Sequence, residues 1–247
     1  MIITVVGECC EDTFIYGDSK RLSPEAPVPV FIPHMTKTNL GMAGNVSENL
    51  KSLSPESIIQ LICQPENIKK TRLIDEKSNH MFIRIDEGEE NISKIEITQE
   101  LIDKITISDV VIVSDYNKGF MNSNDMVEIA KNSKLSILDS KKKLTEDVVK
   151  SFDFIKLNEI EYQNNIRIVD ENPHKFIITL GMNGCQYMGK KYPSPSPIQT
   201  MDVSGAGDTF TASFIFKYCE TKNVDESLIF ANKMASIVVS KRGVATP

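Results

Sequence analysis

Short runs of β-branched and aliphatic residues recur along the chain and alternate with segments of helical periodicity. The apolar runs predict strands at 2–6, 57–63, 110–114, 135–139, 154–158 and 176–180. The amphipathic segments predict helices at 122–134, at 145–152, from Gly207 to about Cys219 and from Asp225 to about Lys241. Continuous apolar strands that alternate with amphipathic helices are typical of a parallel sheet covered on both faces.

The first of the two long helices carries aromatic residues at every fourth position. These are Phe210, Phe214 and Tyr218, and their spacing places them on one face of the helix. We interpret this stripe as core and not as a ligand-binding surface.

Two segments do not follow the alternation of strands and helices. Residues 21–33 contain four prolines, which excludes a helix or a central strand and permits edge strands or extended loops. Residues 80–90 alternate like a half-exposed strand. We expect the two to pair as a small flap, with lid segments at about 12–34 and 78–92, within a single domain that spans 1–247.

Composition excludes several classes of protein. The net charge of -6 argues against a general nucleic-acid binder but allows a local basic pocket for a phosphorylated small molecule. The five cysteines are scattered and the three histidines lie far apart, so neither a zinc site nor a disulfide framework is expected. No apolar run approaches membrane-spanning length and no signal peptide is recognised, so we expect a cytoplasmic protein without a membrane partner. The charged segment 139–147 is interpreted as a solvated loop and a helix start.

A run of small residues precedes an acid at the start of the first long helix. Gly205, Ala206 and Gly207 stand directly before Asp208, and Ser204 is the expected N-cap. Glycines at a helix start allow a ligand to approach the backbone closely, and the exposed N–H groups and positive dipole end suit a phosphate. Asp208 alone would mean no more than an acid that complements the dipole.

Two further motifs follow predicted strands. Asn158 and Glu161 have N-x-x-E spacing, which suits water-mediated Mg²⁺ coordination on a nucleotide, although a helix cap with a first-turn acid has the same spacing. The segment 179–184 holds Thr179, Gly181 and Gly184 and suits backbone approach by a nucleotide, although a plain β-turn would need the same residues. Both alternatives remain open on the residues alone.

The order of these motifs resembles the ribokinase-like (PfkB) family of carbohydrate kinases, whose C-terminal signature is close to "DVSGAGDTF". The resemblance runs nearly end to end. It is sharpest towards the kinase domain of bifunctional bacterial heptose-phosphate synthesis proteins, which phosphorylates D-glycero-D-manno-heptose 7-phosphate at O1. The stretches that carry it are 21–31, 41–53, 82–90, 113–121 and 230–243.

The resemblance implies a fold, cofactors and roles. The fold is a ribokinase-like three-layer α/β/α sandwich with a mostly parallel central sheet and a small β-strand lid, and the cofactors are ATP and Mg²⁺. Asp208 matches the catalytic base, and the Gly205, Ala206 and Gly207 turn matches the anion hole for the transferring phosphoryl group. The remaining matches are Asn158 and Glu161 for Mg²⁺ and phosphates, Thr179, Gly181, Gly184 and Asn232 for the nucleotide, and Asp12, Gly41, Asn45 and Asp115 for the sugar.

Two cations are added on chemical grounds. A sugar phosphate needs cations at its distal phosphate, and Arg84 and Lys118 lie in segments that resemble the family's lid and sugar site. The alternative is that both are solvated surface cations.

The chain departs from the family pattern at three places. Gly41-Met42 stands where the family has two glycines, Glu8 stands where it has Asp, and 63–71 is much shorter than the family's helix–strand unit there. A kinase for another sugar, sugar phosphate or nucleoside therefore stays open, as does a non-catalytic sugar-phosphate-binding descendant. Open strand edges and the apolar segment 28–32 favour a homodimer through the lid.

Overall fold

The computed structural model describes residues 1–195, 204–241, 243 and 245–247. The strands are β1 (Ile2–Gly7), β2 (Cys9–Asp18), β3 (Ile32–Met42), β4 (Ile58–Ile62), β5 (Lys69–Asp75), β6 (Met81–Glu87), β7 (Val110–Asp115), β8 (Ser136–Ser140), β9 (Phe154–Asn158), β10 (Phe176–Thr179), β11 (Cys185–Tyr187) and β12 (Lys190–Tyr192). The helices are α1 (Ala43–Leu53), α2 (Gln99–Ile107), α3 (Ser123–Lys131), α4 (Glu146–Ser151), α5 (Glu159–Glu171), α6 (Ala206–Thr221) and α7 (Val224–Val238).

Eight strands form the central sheet, in the order β12-β11-β10-β9-β8-β7-β1-β4. Six neighbouring strands of this sheet run parallel, namely β10, β9, β8, β7, β1 and β4. The strands β11 and β12 add an antiparallel hairpin at one edge. At the other edge β4 is the last strand, and Ile58 on it remains 59% exposed.

Helices cover both faces of this sheet because its strands are apolar on both faces. In β1, Ile3 and Val5 belong to one core and Val6 to the other. The first core is closed by α1, α6 and α7, and the second by α2, α3, α4 and α5. The predicted three-layer sandwich is confirmed.

The aromatic stripe of α6 lies in the core, as its spacing predicted. Phe210 and Phe214 are buried, and Phe214 is in contact with the rings of Phe154 and Tyr218 at centroid distances of 5.1 and 6.0 Å. Edge-to-face and stacked pairs of this kind fix the helix against the sheet.

A second sheet of four strands, in the order β3-β2-β5-β6, stands beside the central one. The first of the two segments expected to form a flap ends in the edge strand β3, and the second forms the opposite edge strand β6, so they do not pair directly as strands. The two segments are in contact through the rings of Phe31 and Phe82, at a centroid distance of 5.7 Å. The strands β2 and β5 lie between β3 and β6 and pair in parallel. The sequence interpretation missed β5 because "KKTRLID" is too charged to read as a buried strand.

The carboxyl ends of β1, β7, β8, β9 and β10 meet at one edge of the central sheet, where the first turns of α5 and α6 also begin. Ligands of open α/β sheets bind in this position. Within the described part of the chain, no helix combines the length and the apolar character needed to cross a membrane.

Candidate active site

The small-residue turn opens α6 without a side-chain cap. Gly205 is the N-cap residue and has a left-handed backbone with φ of 79°, so the expectation that Ser204 caps the helix is wrong. A glycine accepts this conformation without strain and has no side chain to fill the space in front of the helix. The first helical bond runs from the N–H of Thr209 to Gly205, so the preceding N–H groups have no partner within the helix.

Asp208 lies in the first turn of α6 and is 5% exposed. The amide of Asn45 donates to its Oδ2 at 2.8 Å, and the hydroxyl of Tyr116 donates to its Oδ1 at 2.7 Å. Burial raises the pKa of Asp208 to about 6, although both hydrogen bonds lower it in part. A carboxylate with a pKa in this range is ionised at neutral pH and still accepts a proton readily.

A buried ion pair lies beside the turn. A Cβ atom on Gly207 would lie 3.1 Å from Nζ of Lys156, which is 3% exposed and 2.8 Å from Oδ2 of Asp139. Burial alone would raise the pKa of Asp139, but the cations of Lys156 and Lys141 lower it below its ordinary value. A cation therefore stands next to open backbone N–H groups, which together form a concavity suited to an anion.

The turn lines a cavity of about 490 Å³, and so do the predicted nucleotide residues Thr179, Gly181, Gly184 and Asn232. No described atom lies within 4 Å of a Cβ built on Gly181, so that glycine leaves open space. Gly184 has a different reason to be glycine, because a Cβ there would lie 2.1 Å from the carbonyl oxygen of Tyr192. Asn232 donates to the same carbonyl at 2.8 Å and so ties α7 to β12.

Asn158 and Glu161 form a capping box at the start of α5, the arrangement that the plain alternative required. Asn158 also lines the cavity, whereas Glu161 lies behind it, 5% exposed, and accepts a hydrogen bond from Lys141 at 2.5 Å. Among the described residues, no group of three or more His, Cys, Asp or Glu is placed to hold a metal. Mg²⁺ keeps several waters and needs few protein carboxylates, so Glu161 fits such an ion once Lys141 moves aside.

The segment 139–147 is only partly the solvated loop that the sequence suggested. Lys141, Lys143 and residues 145–147 are exposed, and α4 begins at Glu146 as predicted. Asp139, however, is buried, Lys141 lies over the ring of Tyr116 at 5.3 Å, and Lys142 forms an ion pair with Asp115. The lysines escaped notice because their acidic partners are distant in sequence.

Asp115 is not placed as a sugar contact. It is fully buried at the end of β7, where its carboxylate accepts from Lys142, from the hydroxyl of Ser140 and from the N–H of Asn117. These contacts enclose both oxygens, so its role in this structure is to fix the loop that follows β7.

Asp12 lies on the same face of β2 as Cys10, which interacts electrostatically with Asp208. We call the region between this face and the start of α6 the cleft, and there Arg72 of β5 forms an ion pair with Asp12. A Cβ atom on Gly41 would lie 2.1 Å from Oδ2 of Asp12, so glycine at this position is what allows the carboxylate to approach β3. Asn45 is buried, and its amide holds Asp208. Asn45 also lines a second cavity, of about 470 Å³, between β3 and the last residues of the chain.

The proposed distal cations differ in their surroundings. Arg84 forms a fork with Asp86 at 2.7 Å and its side chain is 42% exposed on the edge strand β6. Lys118 shares Glu89 with Lys70, whose side chain is only 9% exposed. Burial raises the pKa of Glu89, but the two lysines outweigh it and lower that pKa below its ordinary value.

Lys70 and Arg72 escaped the sequence interpretation. Both lie on the face of the second sheet that carries Asp12, because Lys70 pairs with Asp12 and Arg72 with the next residue of that face, Phe14. Arg72 also lies over the Phe14 ring at 4.8 Å. The alternation of charge along β5 was the available signal, but only the register connects it to the cleft.

The position where Glu replaces the family's Asp has a structural role. Glu8 is fully buried after β1, and its carboxylate accepts backbone N–H bonds from Tyr116, Lys118 and Phe120 at 2.8, 2.9 and 3.3 Å. A carboxylate that accepts three backbone donors is well compensated for its burial. Glu8 therefore fixes the loop after β7 that carries Tyr116.

The three-layer fold, the small second sheet and the glycine turn with its acid together define a protein of the ribokinase-like class. The chain belongs to the pfkB family of carbohydrate kinases, since the model of that family matches residues 69–247.

Relatives and solved structures agree with this assignment. The bifunctional protein HldE of Helicobacter pylori strain Shi470 is 30% identical over 295 aligned positions, and HldE of Bradyrhizobium diazoefficiens is 25% identical over 297. Each alignment covers 98% of this chain but only 64% and 60% of those proteins, so the chain spans less than two thirds of their length.

In fold, the chain is similar to Arabidopsis thaliana ribokinase complexed with ribose and ATP, with a TM-score of 0.72, 17% identity and coverage of 98% of this chain and 93% of that one. Ribokinase from Thermotoga maritima gives a TM-score of 0.72 at 18% identity, with coverage of 98% and 94%. Likeness at this level of identity shows the ribokinase-like fold.

The raised pKa of Asp208 predicts a pH dependence of stability. The pKa is about 6 in the folded state and about 3.9 in an unfolded chain. Folding therefore favours the protonated form, and this stabilisation is full below about pH 4 and is lost as the pH rises through about 6. We expect the free energy of unfolding of the wild type, minus that of Asp208→Asn, to fall by roughly 3 kcal/mol over this window.

Chemical denaturation of both proteins between pH 4 and 8 measures this difference. A difference that stays flat over the whole range would show that Asp208 titrates normally.

Proposed function

We propose that this chain transfers the γ-phosphoryl group of ATP to O1 of D-glycero-D-manno-heptose 7-phosphate, with Asp208 as general base. The observation that carries the proposal is a nearly water-free carboxylate, with its pKa raised to about 6, in the first turn of a helix that opens with small residues. The near end-to-end similarity to proteins named bifunctional protein HldE supports the heptose substrate.

Phosphoryl transfer needs positioning and charge stabilisation more than covalent participation of the protein. The N–H groups of the Gly205, Ala206 and Gly207 turn would receive the transferring group. Lys156, beside Gly207, adds a cation that is already desolvated and oriented by Asp139. Donors fixed in advance towards developing charge contribute a few kcal/mol each.

The nucleotide would lie in the 490 Å³ cavity, against Thr179, Gly181 and Asn232. Mg²⁺, when bound, would neutralise phosphate charge, and Glu161 with Asn158 would hold it through water. Lys141 would then exchange Glu161 for a phosphate oxygen, a short move for a side chain that is 34% exposed.

Asp208 would take the proton of the attacking sugar hydroxyl. As the sugar O–H bond breaks, that oxygen forms the new bond to phosphorus, and the bond from phosphorus to the ADP oxygen breaks. Asp12, held near β3 by Gly41, is placed to accept a hydrogen bond from another sugar hydroxyl. Each group thus acts on a different part of the acceptor.

The distal phosphate would be met by Lys70, Arg72 and Lys118 on the cleft side of the second sheet. Without a ligand, these cations pair with Glu89 and Asp12. A bound phosphate dianion would replace those carboxylates as the partner of the cations. Arg84 remains a candidate, but its fork with Asp86 satisfies it on the exposed edge strand. We therefore expect Arg84 to contribute less to binding of the distal phosphate than the other three cations.

A kinase for a different sugar phosphate is the second candidate, and one observation favours it. Met42, which stands where the family has glycine, is buried beside Cys10 and Ile68 and has a left-handed φ of 57°. This conformation is costly for a residue with a side chain. Met42 directly follows Gly41, the residue that lets Asp12 approach β3, so the substitution lies next to the proposed sugar contact.

A substrate panel tests the function and separates these candidates. We expect ATP-dependent phosphorylation of the heptose 7-phosphate, and Asp208→Asn should reduce it by roughly two to four orders of magnitude, the usual scale for a lost general base. Asp225→Asn is the control and should leave the rate unchanged, because Asp225 lies in the first turn of α7, where its half-exposed side chain pairs with Lys190. Turnover of a hexose phosphate alone would select the second candidate, and no turnover of any sugar would contradict the proposal.

The distal site predicts a difference between two cations of the same sheet. Lys70→Met should raise the KM for the phosphorylated sugar by about ten- to a hundred-fold, the effect of losing a charge-assisted hydrogen bond. Arg84→Met should change it less, because Asp86 already neutralises Arg84. Steady-state kinetics measures both, with the KM for ATP as the internal control. A larger effect from Arg84→Met would reverse the assignment.

We also propose a homodimer through the outer face of the second sheet. This face is the one turned away from Asp12. Besides the charged residues Glu11, Lys69 and Glu87, it carries apolar and threonine side chains from the inner and edge strands. Ile83 and Ile85 on it are 49% and 43% exposed, and Leu73 and Thr71 lie directly opposite them. This apolar part of the face can pack against its own copy without charge complementarity.

Ile83→Asp should therefore shift the protein from dimer to monomer in light scattering at micromolar concentration, because two charges would be buried without partners. Ile229→Asp, at a 61% exposed position of α7, is the matched control and should leave the dimer intact. A wild-type protein that stays monomeric at high concentration would exclude the dimer.

A further inference from the structure

Tyr116 and Asn45 each donate to a different oxygen of Asp208. The Tyr116 hydroxyl lies 2.7 Å from Oδ1 and the Asn45 amide lies 2.8 Å from Oδ2. Two donors on opposite oxygens fix the plane of a carboxylate. Each oxygen still has a lone pair with which to accept a second hydrogen bond.

We propose that Tyr116 is a positioning residue that orients the carboxylate of Asp208 for proton abstraction, and that Glu8 places Tyr116 through the backbone. This rests on the proposed function, because it assumes that Asp208 accepts the proton of the acceptor hydroxyl. Tyr116 lines the same cavity as Asp208, and the role proposed for it acts through the acid.

The loop of Tyr116 is built to hold its side chain in one place. The backbone N–H of Tyr116 donates to Oε2 of Glu8 at 2.8 Å, and the backbone N–H groups of Lys118 and Phe120 donate to Oε1. Asn117 has a left-handed φ of 58°, which turns the alternate N–H groups towards the same carboxylate. The ammonium group of Lys141 lies over the Tyr116 ring at 5.3 Å and restrains it from the other side.

The charged groups around Asp208 come from every element packed against it. Asp139 on β8 raises the pKa of Asp208, whereas Lys156 on β9 lowers it. Lys141 after β8 and Cys10 on β2 also interact electrostatically with Asp208. Burial is the largest cause of the raised pKa, and the Asn45 and Tyr116 hydrogen bonds oppose it. Removal of one opposing hydrogen bond must move the pKa further upward.

Tyr116→Phe tests the proposal, because it removes one hydroxyl and keeps the ring. We expect the acid limb of the pH profile of kcat/KM to move upward by about one pH unit, which corresponds to roughly a tenfold loss of rate on that limb. The KM for ATP should change by less than twofold. A hydroxyl that serves only stability would lower the melting temperature and leave the acid limb in place, which would overturn the proposal.

Tyr187→Phe is the matched control. It also removes one tyrosine hydroxyl that donates at 2.7 Å, but to the backbone carbonyl of His174, away from the acid. This variant should leave the acid limb unchanged. An equal shift in both variants would mean that the effect does not pass through Asp208.

A readout without substrate separates this proposal from the proposed function. The difference in unfolding free energy between proteins with and without Asp208→Asn reports the titration of Asp208. The pH midpoint of this difference should be higher in proteins that carry Tyr116→Phe than in proteins that retain Tyr116. If the wild type phosphorylates no sugar and this midpoint still moves, the kinase proposal fails. The claim that the Tyr116 hydroxyl acts on Asp208 through its hydrogen bond would then still stand. If the midpoint does not move, the role of Tyr116 is refuted whatever the activity.

Glu8→Gln provides a second variant should Tyr116→Phe not fold. The side chain keeps its size but presents an amide N–H₂ group to one of the two sets of backbone donors, so the loop should shift. We expect the midpoint to move in the same direction as in Tyr116→Phe. A folded Glu8→Gln protein with an unchanged midpoint would contradict the placement of Tyr116 by Glu8.

Discussion

Asp208 is a carboxylate almost removed from water, and the arrangement around it follows from the free energy of keeping it there. Burial favours the neutral acid, and its pKa is accordingly raised to about 6. The positive end of α6 and the donors Asn45 and Tyr116 recover part of the lost hydration. The remaining imbalance is useful, because a carboxylate that is only partly compensated accepts a proton more readily than one in water.

Other charges of the cleft are balanced in pairs before any ligand arrives. Lys156 is paired with Asp139, Arg72 with Asp12, and two lysines share Glu89. A buried cation without such a partner would be strongly destabilising, so the pairs are a condition of folding. These ion pairs also weaken the binding of anionic ligands, because a ligand must compete with the paired carboxylates for the same cations. Such competition favours ligands that offer more than one negative charge, as ATP and a sugar phosphate do.

The sequence was sufficient for the six parallel strands of the central sheet and for the start of α6 at the small residues before Asp208, because both depend on local patterns. Apolar runs define buried strands, and a glycine such as Gly205 accepts the left-handed backbone that opens the helix. The charged segments were misread for a physical reason. Lys142 and Arg72 look like solvated residues until Asp115 and Asp12, 27 and 60 positions away in sequence, are brought beside them by the fold. Pairings at such separations leave no periodic signal in one sequence.

The short connection between the two sheets affects the two halves of the site unequally. The groups that we propose to act on the transferring phosphoryl stand on β8, β9 and α6. In the central sheet, β7 and β1 separate β8 and β9 from the edge strand β4. The alignments with the HldE proteins extend over more positions than this chain has residues, so those relatives contain segments that it lacks. Only residues 63–68 join β4 to β5, the strand that carries Lys70 and Arg72. A short tether restricts how far β5 can move from the central sheet, so it constrains the acceptor side of the cleft and leaves the phosphoryl side untouched.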